Sequence, residues 1–100
     1  MPHRLLCTGN EADLLEGRCA VLRHSRYEAQ PATLPEAEIL LRAGKYDMII
    51  ISAWLSEWER RRILLAAGKT ATYVLRGLTL APELLAQVEQ RLSPVSQTAY

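Results

Sequence analysis

The 100-residue sequence lacks phenylalanine, has only two cysteines and carries almost no net charge, with 12 basic against 11 acidic side chains and a formal charge of +1. Two cysteines are too few for a disulfide framework, and neither has the spacing of metal ligands, which favours a reducing cytoplasm. Near-neutral charge supplies no basic field to attract nucleic acid. No apolar run approaches the roughly 20 residues that a membrane-spanning helix needs. The composition therefore predicts one compact soluble domain that neither spans a membrane nor binds nucleic acid.

Short apolar runs alternate along the chain with amphipathic stretches, a pattern typical of βα units. We predict strands over residues 5–7, 27–32, 46–52 and 70–75. We predict helices from residue 10 to about 24, from 33 to 44, from 56 to 68, and from about 80 to 92. Alternation of this kind implies parallel strands joined by right-handed crossover helices, and so a three-layer α/β fold with its chemistry at the carboxyl ends of the strands.

Three helices carry recognisable start signals. A capping box, in which serine or threonine precedes glutamate by three residues, occurs at Thr33 and Glu36 and again at Ser56 and Glu59. Asn10 follows the first strand and is expected to cap the first helix. The strand over residues 46–52 is apolar at consecutive positions, which predicts helices packed on both of its faces.

The order and spacing of these segments resemble a known family. Residues 5–15, the run 43–52, the strand 73–76 and the helix start 82–86 together look like the receiver domain of two-component response regulators. The resemblance covers nearly the whole chain and implies a doubly wound, flavodoxin-like or CheY-like sheet. Receivers have five βα units and this chain has room for about four, so one unit is expected to be deleted. We expect a receiver-like domain over residues 1–92 and a flexible tail over 93–100.

The positions that carry receiver chemistry depart from the family pattern. The acidic pair after the first strand corresponds to Thr8 and Gly9, the phosphoacceptor aspartate to Ser52, and the lysine after the last strand to Arg76. Mg²⁺ needs oxygen ligands, usually carboxylates, and an acyl phosphate needs a carboxylate nucleophile. The sequence therefore predicts neither metal binding nor phosphoryl transfer, and no cofactor.

Several other residues have both structural and functional interpretations. Cys7 and Cys19 are expected in the core, and the arginines at 60–62 on a solvated face where Glu57 and Glu59 pair with them. Aromatic and apolar residues at the strand ends could pack inside, fill the vacated site or contact a partner; these candidates are Trp54, Trp58, Tyr73 and Leu75. Receivers associate through their last strands and helices, so the resemblance implies a homodimer through the region from Thr70 to Leu92.

The leading functional hypothesis is a pseudo-receiver: a degenerate, non-enzymatic receiver-like module that acts by phosphorylation-independent protein contact. The alternative is a small α/β domain that binds an anionic metabolite or nucleotide at the strand ends, through residues 8–10, Ser52 and Arg76. A third hypothesis keeps regulation but has a serine/threonine kinase modify Ser52.

Overall fold

The computed structural model describes residues 3–44, 46–77 and 79–92 of the chain. In chain order its elements are β1 (Arg4–Thr8), α1 (Ala12–His24), β2 (Glu28–Ala32), α2 (Leu34–Ala43), β3 (Met48–Ile51), α3 (Glu57–Ala67), β4 (Ala71–Val74) and α4 (Ala81–Leu92). Every predicted strand and helix is present in the predicted order, and the bounds differ from the predicted ones by at most two residues. The tail expected over 93–100 lies outside the described residues.

The four strands form one sheet in the order β2-β1-β3-β4, and every pair is parallel. Leu5 of β1 lies opposite Ala29 of β2 on one side and Met48 of β3 on the other. From β1 the chain crosses over to β2 on one side, and from β2 it crosses back past β1 to β3 on the other side. The direction in which strands are added to the sheet therefore reverses between β1 and β3. These features confirm the three-layer, doubly wound fold of the flavodoxin-like or CheY-like type. They also place the topological switch point between β1 and β3.

Each face of the sheet has its own apolar core. On one face, α1 and α4 cover side chains that include Leu5 and Ile50. On the other, α2 and α3 cover Leu6, Ile49 and Ile51. Successive residues of a strand point to opposite faces, so the four consecutive apolar residues of β3 divide between the two cores and all are fully buried. The prediction of helices on both faces of β3 is therefore confirmed.

The helix starts follow their predicted caps in two cases and not in the third. Both capping boxes form, at Thr33 with Glu36 and at Ser56 with Glu59. The prediction that Asn10 caps α1 is wrong, because Glu11 occupies the N-cap position and provides no side-chain hydrogen bond. The side-chain amide of Asn10 instead reaches across to α3, as described below.

Both cysteines lie in the core, as predicted, and their side chains are fully buried. A hydrogen bond with Cys19, together with burial, raises the pKa of the Cys7 thiol well above its usual range. None of the described helices is long and apolar enough to cross a lipid bilayer.

Candidate functional site

The switch point between β1 and β3 holds Thr8, Gly9 and Ser52, the positions that the resemblance assigns to phosphoryl chemistry. Thr8 is fully buried and its hydroxyl donates to the carbonyl oxygen of Ile50 at 3.2 Å. Ser52 is 3% exposed, and its Oγ accepts a hydrogen bond from the main-chain N–H of Trp54 at 3.2 Å. Both hydroxyl oxygens are therefore buried and already hydrogen-bonded to the protein's own backbone.

Gly9 fills the crevice between the two strand ends with its backbone alone. A Cβ atom at this position would lie 2.9 Å from Cβ of Ser52 and 3.2 Å from Cδ2 of Leu15. The Gly9 N–H donates to the carbonyl oxygen of Ala32 at 3.3 Å, so the loop is also tied to β2. The structure leaves no room for the carboxylate that a receiver carries at this position.

The loop after β1 is joined to the start of α3 by polar contacts. The Asn10 side-chain amide donates to both carboxylate oxygens of Glu59, at 3.1 and 3.4 Å. The main-chain N–H of Ser56 donates to the same carboxylate at 2.9 Å. The hydrogen bond from this N–H, followed by that from Asn10, lowers the pKa of Glu59 below its ordinary value. Glu59 therefore serves the loop and the helix cap, and the prediction that it pairs with the neighbouring arginines is wrong.

The side chains at the switch point do not provide the free oxygen ligands that a hard cation such as Mg²⁺ needs. Thr8 and Ser52 offer hydroxyls that are already engaged, and Gly9 offers no side chain. Across the described ranges of the chain, no group of three or more histidine, cysteine, aspartate or glutamate residues lies close enough to hold a metal ion.

Arg76, which the resemblance matches to the receiver lysine, lines an opening beside β4. This opening, the β4 cleft, has a volume of about 1000 Å³. Its floor is the strand and the residues that follow it, and its walls come from α3 and α4; the lining residues are Ala53, Arg60, Thr72, Tyr73, Val74, Leu75, Arg76, Gly77, Thr79, Glu83, Gln87 and Arg91. The opening is lined by Arg76 but by neither Thr8 nor Ser52.

Two candidate interaction residues of the β4 region have different surroundings. Tyr73 is half-buried, and the guanidinium of Arg91 lies 4.7 Å from the centre of its ring, within the range of a cation–π contact. Leu75 is 2% exposed and packs in the core formed with α1 and α4. The expectation that the Leu75 side chain contacts a partner is therefore corrected: it is a core residue.

Both tryptophans lie at the surface, 52% exposed at Trp54 and 62% at Trp58, so neither is core and neither fills the switch point. Trp54 belongs to the turn before α3 rather than to the helix itself. Trp58 lies under the guanidinium of Arg62 at 5.0 Å, and Arg62 forms an ion pair of 2.7 Å with Glu38 of α2. Trp58 is thus held beside an ion pair while most of its ring faces solvent.

The three neighbouring arginines of α3 have three different environments. Arg61 pairs with Glu57 at 3.2 Å on an exposed face, as predicted, and Arg62 pairs across to α2. Arg60 lines the β4 cleft, and its Nε atom is buried without a hydrogen-bond partner among the described residues. Sequence reasoning missed Arg60 and Arg91 as site residues. These two arginines differ from the others in that their positions on α3 and α4 face the cleft. Which positions face the cleft is set by how the helices pack against the sheet, and the sequence alone does not give this.

No family model matches this sequence, and no curated protein is significantly similar to it. The interpretation of the site therefore depends on the fold, the closed switch point and the open cleft along β4.

Proposed function

We propose that the protein is a degenerate receiver-like module that acts by protein contact and independently of phosphorylation. The observation that carries the proposal is the contrast between two parts of the sheet. At the switch point, Thr8 and Ser52 are buried and internally hydrogen-bonded around a glycine. Beside it, β4 is an edge strand that borders an open, polar cleft. A scaffold with a closed reaction site and an accessible strand edge suits binding better than catalysis.

The position of the last βα unit supports the idea that an internal unit is missing. β4 lies next to β3, the place of a fourth strand in the sheet. The helix that follows packs on the same face as α1. In a doubly wound sheet with strand order 2-1-3-4-5 a further strand would lie beyond β4. We propose that the β4 cleft occupies the place of that absent strand. We also propose, from the low cysteine content, that the protein works in the reducing cytoplasm.

A second copy of the chain is the partner that the sequence analysis favours, through the region from Thr70 to Leu92. Two unpaired strand edges can meet about a two-fold axis and satisfy each other's main-chain groups. Light scattering at high protein concentration tests this hypothesis, and twice the mass of the chain would support the homodimer. A mass that stays at one copy would remove the homodimer while leaving contact with another protein open.

Incubation with acetyl phosphate is expected to leave the intact mass of the protein unchanged, with Mg²⁺ present. An acyl phosphate needs a carboxylate nucleophile, whereas this position holds a serine whose Oγ already accepts from a main-chain N–H. Mass spectrometry of the intact chain checks this, with a phosphorylatable receiver as the positive control. An added phosphoryl group, or an equal gain after incubation with a serine/threonine kinase, would contradict a phosphorylation-independent role.

The alternative function, binding of an anionic metabolite or nucleotide at the strand ends, needs Thr8, Ser52 and Arg76 to act together. The hydrogen bonds that the two buried hydroxyls already make with the main chain do not favour it. A thermal-shift screen with nucleotides and inorganic phosphate distinguishes the two functions. Stabilisation that disappears in Ser52→Ala would support the alternative.

A further inference from the structure

The outer side of β4 presents unpaired main-chain groups to the β4 cleft. Leu75 donates its N–H to the carbonyl oxygen of Ile51 at 2.9 Å, so its main chain faces β3. Successive residues of a strand direct their N–H and C=O groups to opposite sides. The main-chain groups of Thr72 and Val74 therefore face away from β3, and both residues line the cleft. No described strand pairs with this edge.

The charge of the β4 cleft is strongly one-sided. Three arginines line it, Arg60, Arg76 and Arg91, against a single acidic residue, Glu83. Over the whole chain the formal charge is only +1, so the cleft concentrates positive charge that the rest of the molecule balances. Arg60 comes from α3 and Arg91 from α4, which lie on opposite faces of the sheet. A strand added beside β4 would thus have a guanidinium on each side of it.

Arg60 provides a further indication that the cleft accepts a ligand. Its Nε atom is buried and has no hydrogen-bond partner among the described residues. A buried polar atom without a partner is costly, and such atoms call for an explanation. Arg76, by contrast, is exposed at the end of the strand. Both arginines line the cleft, and a carboxylate brought into it would offset their positive charge.

We infer that the β4 cleft binds an extended, acidic segment of another protein, which adds to the sheet as a fifth strand. Main-chain hydrogen bonds to Thr72 and Val74 would provide the affinity, and carboxylates paired with the arginines would provide the selectivity. The inference rests on the proposed function and names the chemistry of its partner. It requires no covalent step and no cofactor.

Charge decides between this occupant and a second copy of the chain. Pairing two β4 edges about a two-fold axis brings both sets of three arginines together, with only one glutamate from each copy to offset them. Like charges held across an interface disfavour association. An acidic segment meets the same surface with opposite charge. The cleft therefore fits an acidic partner better than it fits itself.

The test uses the full chain and a fluorescently labelled peptide of sequence VEEVVEEV, whose glutamates project to both faces of an extended strand. We expect saturable binding by fluorescence polarisation that weakens as salt rises. The matched peptide VKKVVKKV is expected not to bind. Equal binding of the lysine peptide would overturn the inference.

Matched variants locate the charge contacts. Arg60→Gln combined with Arg91→Gln is expected to weaken binding by roughly three- to tenfold, because two exposed or half-exposed ion pairs are lost. Arg61→Gln removes the same charge from the next position of α3, outside the cleft, and is expected to leave the affinity unchanged. An equal loss in Arg61→Gln would mean that only overall charge matters, and would overturn the inference.

Strand addition has its own readout. Two versions of the peptide are N-methylated at alternate residues, one at the odd positions and one at the even positions. Only one of these two sets of N–H groups would face β4 in an added strand, so one version should bind much more weakly than the other. Hydrogen exchange at the amides of Thr72 and Val74 should slow when the unmodified peptide binds. Unchanged affinity for both methylated peptides would overturn strand addition. If no acidic peptide binds and light scattering gives a dimer, the acidic partner is wrong while the proposed protein-contact function stands; nucleotide binding by a monomer would overturn both.

Discussion

Replacing Gly9 with aspartate, which introduces a carboxylate where the resemblance to receivers predicts one, is expected to lower the free energy of unfolding by about 2–5 kcal/mol. Gly9 is buried, and a Cβ atom there would lie 2.9 Å from Cβ of Ser52. The new side chain would have to push the ends of β1 and β3 apart. Its carboxylate would enter a site where the neighbouring hydroxyls already have partners. Urea denaturation of the purified variant measures the change.

Two pairs of variants separate the contributions of size and charge. Gly9→Ala adds only the methyl group and is expected to cost about 1–3 kcal/mol through overpacking. Gly17 lies in α1 with nothing within 4 Å of a Cβ atom, so Gly17→Ala should stabilise the protein by about 0.5–1 kcal/mol. Gly17→Asp should stay within about 0.5 kcal/mol of the wild type. Full stability in Gly9→Asp would mean that the crevice can open, and would return it to consideration as a binding site.

Leu75→Ala is expected to cost about 2–5 kcal/mol in unfolding free energy. The side chain is 2% exposed and lies in the core between the sheet and the helices α1 and α4. Shortening it leaves a cavity that the surrounding strands can only partly close. A thermal or urea unfolding transition measures the loss, and the peptide-binding assay can be repeated where the variant is still folded.

Leu65→Ala makes the same chemical change at a position that is 82% exposed on α3. Its stability should remain within about 0.5 kcal/mol of the wild type, because no buried contact is removed. If Leu75→Ala proved as stable as Leu65→Ala, the core assignment of Leu75 would be wrong. The original expectation of a partner contact would then regain support.

The fold followed from the sequence because its signals are local. Capping boxes at Thr33 and Ser56 define helix starts by chemistry within one turn. The unbroken apolar run of β3 indicated helices on both faces, which the two cores bear out. The prediction that Asn10 caps α1 failed because it used local signals alone. The Asn10 side chain suits capping, but folding brings the Glu59 carboxylate close, and the amide donates to that carboxylate instead.

The candidate site was harder to predict because it depends on neighbours that are distant in the sequence. The resemblance to receivers predicted that Thr8, Gly9 and Ser52 lie at the switch point, and the structure brings them together there. It could not reveal that Gly9 is confined by Ser52. Nor could it gather arginines from two helices and a strand end into one cleft, since their common location follows from how α3 and α4 pack against the sheet.

The central place of the N-terminal strand has a consequence for how the chain folds. β1 pairs with β2 nearby in sequence and also with β3, where Leu5 lies opposite Met48. During synthesis, one side of β1 therefore remains uncovered until β3 has been made, although its side chains are among the most buried in the finished protein. Parallel pairings over such separations form slowly, since the intervening chain must be ordered first. The nascent chain thus exposes an apolar strand edge until β3 is available, and we expect chaperones that cover such edges to affect the yield mainly at that stage.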